Sequence, residues 1–479
     1  MRRRLTALMI LLVLIPAAGI AYLLSSPRLV SVSPQADANG VPAGTPLRLE
    51  FSRRMQPDSV TSRLKIEPEQ AGSFQWEGRT LIFTPETVWP SGQQIKIRLE
   101  SGARAAGLLS FSIREEASWS FRINQPRLAY LFPSDQAANI YVLNPLSGES
   151  QAITQVPGGV LEYDVSASGG SLYYTARNAS GGTQIYRLDH LELAGSNKTA
   201  KLPPPVLVLD CGKATCRSPM VSPHGDWLAY ERAALPGNGG QGYLQVWILP
   251  LSPDGSASPA GASETPDPRL AGAPGHQTYL PSWSSDGWLS FYDSDQQAFL
   301  LIDPSSGQSL SFANQTGQAG AWEPGGQTFV APEISFTEAG NPDQTGLEVI
   351  ANSHLIRFNR KDQKTQDLTQ AEDLEDAAPA FSPDGKTIAF ARRFLDVQRW
   401  TPGRQLYLMN ADGSDAHPLT NDPTFNHYDF AWNPAGGQLA FARFDQNALT
   451  KPPEIWLIDT KTAQSVQVVI GGYAPQWIP

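Results

Sequence analysis

From residue 27 onward, apolar side chains recur at every second position in short runs, and the runs are separated by clusters of Gly, Pro, Asn and Asp. A period of two places alternate side chains on opposite faces of an extended strand, so each run predicts a strand with one buried face. Between 27 and 125 the runs are "TPLRLEFS" (Leu47, Leu49, Phe51), "RTLIFTP" (Leu81, Phe83), "QQIKIRLE" (Ile95, Ile97, Leu99) and "SWSFRI" (Trp119, Phe121, Ile123). Strands of this kind pack as two sheets over a shared core, so 27–125 is expected to be a small β-sandwich.

Beyond 126 the pattern becomes a repeat. "FSPDGKTIAFAR" at 381–392 returns as "VSPHGDWLAYER" at 221–232, "WSSDGWLSFYD" at 283–293, "WEPGGQTFVAPE" at 322–333 and "WNPAGGQLAFAR" at 432–443, with a weaker copy, "VSASGGSLYYTA", at 165–176. Each copy is followed by another apolar strand: "QIYRLD", "LQVWILP", "AFLLID", "HLIRFN", "QLYLMN" or "EIWLID". Strand, tight turn, strand, loop, strand is the unit of a propeller blade, which cannot bury its faces alone and must stack around a ring. A seventh unit is split. "YAPQWIP" at 473–479 would open it, and "RLAYLF" at 127–132 with "NIYVLN" at 139–144 would complete it. Pairing the first and last strands closes the ring and removes exposed sheet edges. The expected fold class is therefore all-β: an N-terminal membrane helix (1–26), a sandwich (27–125) and a seven-bladed β-propeller (126–479) closed by its N- and C-terminal strands. Three Gly/Pro-rich stretches, "AALPGNGGQGY", "LSPDGSASPAGASETPDPRLAGAPGH" and "ISFTEAGNPDQTG", have no periodicity and are expected to be loops.

Composition agrees with many short strands: Gly 41 and Pro 40 stand against 17% charged residues. A net charge of −10 with 36 Lys and Arg leaves no basic face for phosphates, which argues against nucleic acid as a partner. The membrane helix is read from "MRRRLTALMILLVLIPAAGIAYLLSS", where three arginines precede an uncharged run from Leu5 to Leu24. That run is long enough to span a bilayer, and the arginines would hold the N-terminus in the cytoplasm with the rest of the chain outside. A cleaved signal peptide is the rival, but the apolar run continues past Ala17-Ala18-Gly19, which favours an uncleaved signal-anchor.

Cys211 and Cys216, in "DCGKATCRS", fit an exported protein as a disulfide or as free thiols, in preference to a metal site, which would want more soft ligands nearby. The acidic turns "NADGSDAH" and "YDSDQQ" lack the spacing of a calcium loop, and no metal or cofactor is expected. His190, His224, His276, His354, His417 and His427 form no His-x-x-x-His pair and read as loop or turn residues.

Two resemblances sharpen this reading. The run "VSVSPQADANGVPAGTPLRLEFSRRMQPDSV", then "GSFQWEGRTLIFTPETVWPSGQQIKIRLESGARAAG", resembles the bacterial Ig-like domains of the SbsA type through Phe51, Ser52, Met55, Ser59, Val60, Trp76, Gly78, Phe83 and Pro85. That resemblance implies a spacer or adhesion module. Arg53-Arg54 departs from the small residue or proline usual before the Met. The segment "PAFSPDGKTIAFARR…QLYLMNADGSDAHPLT" is similar to the WD40-like repeat of TolB-like propellers, which implies a binding scaffold in the bacterial envelope, usually for protein partners.

The functional expectation is accordingly a membrane-anchored extracytoplasmic binding or scaffold protein that is not an enzyme, with an envelope or surface protein as partner. The alternative is a small-molecule or carbohydrate sensor or enzyme with its site in the propeller channel. A propeller-linked serine peptidase would carry a Gly-x-Ser-x-Gly elbow; none is present, and the chain as read ends at 479 with the propeller. The candidate contact surface is the long loops, 233–242 and 394–403, the latter with Arg399 and Trp400.

Overall fold

In the computed structural model, residues 26–479 are described except 39, 42–44, 87–88, 108–110, 124, 192–193, 195–201, 234–241, 253–266, 341–346 and 371–372. The expected membrane helix lies outside the described residues, among which no helix is long and apolar enough to cross a membrane. The chain divides into two compact units at Gln125/Pro126.

The first unit has two antiparallel sheets. One orders β1 (Leu29–Ser33), β2 (Leu47–Phe51), β5 (Thr80–Pro85) and β4 (Gly72–Glu77); the other orders β3 (Leu64–Glu67), β6 (Gln94–Leu99) and β7 (Ala117–Arg122). The alternating residues make the core, with Leu47, Leu49, Phe51, Ile95, Ile97, Leu99 and Phe121 buried around Trp89. The Trp89 indole stays satisfied there by donating to the Thr45 carbonyl at 2.7 Å.

The second unit is a ring of four-stranded blades. Blade 1 combines Arg127–Phe132, Asn139–Leu143 and Ser150–Ala152 with the last strand, Tyr473–Ile478. Blades 2, 3, 4 and 7 open with Val160–Val165, Thr215–Val221, Thr278–Trp283 and Phe425–Trp432, and each adds the next three strands in order. Blades 5 and 6, opening with Ala321–Trp322 and Leu374–Phe381, share one sheet because Ser353 and Glu375 form a parallel bridge between them. The opening strand of every blade neighbours that of the next, and the circuit returns from Tyr473–Ile478 to Val160–Val165. These seven strands are therefore the innermost of a closed propeller, with the expected pairing of first and last strands: Tyr473 faces Leu131 and Ile478 faces Arg127.

The repeat's signature residues have distinct mechanical roles. Ser382 Oγ donates to Asp384 Oδ1 at 2.7 Å and accepts the Thr387 N–H, which ties the Ser-Pro-Asp-Gly turn to the strand that follows. In the four blades with a tryptophan at the end of the innermost strand, that side chain staples blades together. Trp283 donates to the Met220 carbonyl (2.9 Å), Trp322 to Ser282 (3.2 Å), Trp432 to Ala380 (2.9 Å) and Trp477 to Ala431 (2.9 Å). Each acceptor occupies the same repeat position in the preceding blade, and the last of these bonds ties blade 7 to the strand that closes blade 1.

One expectation is corrected. "ISFTEAGNPDQTG" was expected to be a loop, but its first half, 334–340, is strand: Thr328–Gly340 pairs with Leu347–Asn359 from Thr328↔Asn359 to Gly340↔Leu347, while 341–346 lie outside the described residues. The pair runs well past the ends of the neighbouring blades' strands. The histidines also divide: His427 and His354 are buried within strands and are not turn residues.

Candidate functional site

Strand direction sorts the connections onto two faces. Turns of the Ser-Pro-Asp-Gly type join first to second strands on one face. On the other, second strands turn into third strands and each blade hands over to the next. This second face carries the long connections: the hairpin arm of blade 5, 394–403 in blade 6 and 445–453 in blade 7. Pro126 leads into a second strand, Arg127–Phe132, which starts on the tight-turn face.

Large apolar side chains are exposed along the long-loop face on adjacent blades: Phe336 on the arm, Val397 (98% exposed) and Trp400 (53%) in blade 6, and Leu449 in blade 7. Of the two predicted contact residues, Arg399 is held within its loop. Its Nε donates to Asp396 Oδ2 at 2.7 Å, and its guanidinium lies 4.0 Å from the centre of the Phe394 ring. Arg399 shapes the loop, and Trp400 beside it is free to be covered. Gly403 then brings the loop back against blade 7, where a Cβ would collide with the Phe425 carbonyl oxygen. Of the other predicted loop, only its first and last residues, Ala233 and Gly242, are described.

The charged residues that end the second strands of blades 3, 5, 6 and 7 on this face are committed within the blades. Arg392 makes two 2.7 Å bonds to the buried Asp376, and Arg393 and Arg404 share Glu375. Arg443 lies between the Phe425 and Trp456 rings and bonds Asp422 and Glu454. Arg232 stacks over Trp247, and Glu333 accepts the Gln315 N–H. These residues hold blade ends and inter-blade loops in place, so their variety around the ring reflects local pairing.

His276, Asp293 and Asp295 place three potential metal-ligating atoms within 4.8 Å of one another. Asp293, the buried member, is already engaged by hydrogen bonds. Asp293 accepts from His276 Nδ1 (2.8 Å), the Asp295 and Gln296 amides and Gln296 Nε2, and Asp295 accepts the Gln277 N–H. The cluster reads as a capped turn. Cys211 and Cys216 form a disulfide at the junction of blades 2 and 3, where Thr183 both donates to the Cys216 carbonyl and accepts its N–H.

A second group, invisible to the repeat pattern, sits on the innermost strands. Ser218, Leu280, Ala378, Asp429 and Ala474 all have left-handed backbones (φ 49° to 59°) and kink five of these strands next to the residue at the Pro or Phe position of the repeat. Acids gather at the kinks: Glu162 accepts from the Ser218 amide, Glu231 from Leu280 at 2.8 Å, and Asp429 from Ala474. Burial pushes Asp164 up to about 7 and Asp429 up to about 6. Asp429 is exposed to solvent, although protein crowds around its carboxyl. Tyr163 donates to the Ala474 carbonyl at 2.6 Å and is pushed well above the usual phenol range by burial and then by Asp429 and Asp164. Tyr163-Asp164 and Tyr428-Asp429 are the same dipeptide at different repeat positions, which is why periodicity hid them.

Comparison with known proteins assigns the first unit to a family. Residues 25–123 match the model of the bacterial Ig-like domain, and this segment is such a domain. Among solved structures, the chain is similar to a putative TolB from Agrobacterium tumefaciens (18% identity, 73% of this chain and 92% of that one, TM-score 0.39). It is also similar to TolB from Acinetobacter baumannii (16%, 74% and 82%, TM-score 0.40) and to a putative 6-phosphogluconolactonase from Bacteroides uniformis (15%, 74% and 99%, TM-score 0.44). Over 62 residues it is 42% identical to dipeptidyl-peptidase 5 of Porphyromonas gingivalis, a match covering 13% of this chain and 9% of that protein's length. The structural neighbours thus include enzymes as well as TolB.

Proposed function

We propose that this is a membrane-anchored, extracytoplasmic scaffold whose propeller binds a protein partner of the cell envelope through the long-loop face and performs no chemistry itself. The observation that carries the reading is the run of exposed apolar side chains, Phe336, Val397, Trp400 and Leu449, across three adjacent blades. Exposed aromatic and aliphatic anchors in a polar surround are what a protein interface buries. The arginines that border them are locked in pairs and offer no repeated chemical site. The arginine-led apolar run at the N-terminus supports the anchoring. The test is in-cell photo-crosslinking from position 400 of the full-length protein, with mass spectrometry of the adduct. A reproducible protein partner, lost on deletion of 394–403, is expected.

A second reading rests on Asp164, Asp429 and Tyr163, whose raised pKa values are the kind found at ligand sites. A rise in melting temperature with a sugar or metabolite that Asp429→Asn abolishes, together with no protein adduct from position 400, would favour a channel sensor or enzyme.

A further inference from the structure

The blade 5 hairpin presents an unused strand edge. Pro332 and Leu355 face each other but direct their backbone groups apart. The Pro332 carbonyl accepts from Asn314 Nδ2 (2.7 Å) and Thr316 Oγ1 (2.6 Å), while Leu355 bonds Thr369 Oγ1 and the Leu368 amide on the far side. Alternation then fixes the rest of the arm: the backbone groups of Ile334, Phe336, Glu338 and Gly340 point away from the hairpin partner. The Ile334 amide is met by Glu333 Oε1 at 2.7 Å. Beyond it, the strand pairs with no third strand among the described residues, because the first strand of blade 5 reaches only Phe329 and Val330. The opposite edge of the hairpin is covered at Ser353 by Glu375 of blade 6.

An open edge is a template for another strand, and the sequence indicates which kind. Positions 333–352 contain Glu333, Glu338 and Glu348 and no Lys or Arg, and Phe336 is exposed. A second copy of the arm would set acid against acid, which disfavours self-pairing. We infer that the edge from Phe336 to Gly340 docks an extended segment of the partner that alternates Lys or Arg with apolar residues, adding a strand to the arm. This inference rests on the protein-scaffold reading and names the chemistry of its partner.

The probe is an eight-residue peptide alternating Lys and Val, compared with one alternating Glu and Val, titrated into the full-length protein. The basic peptide is expected to bind at least about tenfold more tightly and to weaken as salt is raised. Glu338→Pro deletes an outward N–H without touching a hairpin bond and is expected to cost about tenfold or more. Glu338→Lys, which keeps the backbone intact, is expected to narrow or invert the preference even if the proline variant misfolds. Equal binding of the two peptides, no binding of either, or unchanged binding by a folded Glu338→Pro protein overturns the inference. If crosslinking from position 400 still captures a partner in any of those cases, the scaffold reading stands without the arm. If that capture fails as well, the reading falls with it.

Discussion

Individual side chains set opposite pH limits on this propeller. His427 is buried with Nδ1 2.8 Å from the Arg404 carbonyl, and burial lowers its pKa to about 4. An unfolded chain therefore takes up that proton first, and His427's stabilising contribution, complete above about pH 6.5, is lost progressively as pH falls towards 4. Asp164 and Asp429 act the other way. Their raised values favour the fold at low pH, and that advantage fades as pH rises through about 6 to 7. Asp429→Asn keeps an acceptor for the Ala474 amide, so its urea midpoint is expected to exceed the parent's at pH 8 and match it at pH 4. The staples give a second measurement: Trp432→Phe keeps the ring but loses the bond to Ala380, and about 1 kcal/mol of stability should be lost in chemical denaturation. Tryptophans before the turns were legible in the sequence as blade fillers. Their shared acceptor was not, because a carbonyl one blade away leaves no trace in residue type.

Among the elements, those with one wet and one dry face announced themselves, as Ile95-Lys96-Ile97-Arg98-Leu99 does, with its apolar residues buried and its cations exposed. The blade 5 arm did not, since past Ile334 it is a two-stranded ribbon, and the Gly, Pro and Asp residues that follow it in sequence made the whole stretch read as a loop. The kinks escaped notice for a related reason: left-handed residues usually betray themselves as Gly, but here they are Ser, Leu, Ala and Asp. The disulfide closes only the short segment from Cys211 to Cys216, so the chain-entropy argument assigns it about 2 kcal/mol. Replacing both cysteines with serine should lower stability by no more than that in denaturant titration and leave the blades folded.

At the scale of the molecule, closure depends on one strand. Tyr473–Ile478 supplies the inner edge of blade 1, buries Trp477 and Ile478, and carries the last staple to Ala431. Truncation after Gly472 is expected to abolish cooperative thermal unfolding of the whole propeller, because both blade 1 and its junction with blade 7 would be left open. Closing the ring this way also imposes a timetable. Arg127–Phe132 is synthesised well over 300 residues before its partner strand, so at roughly 5 to 20 residues per second the growing chain spends tens of seconds with an incomplete circle. A chain leaving the ribosome or an export pore N-terminus first cannot finish folding this propeller until Tyr473–Ile478 is free, and until then the unpaired inner edge needs shelter from its neighbours.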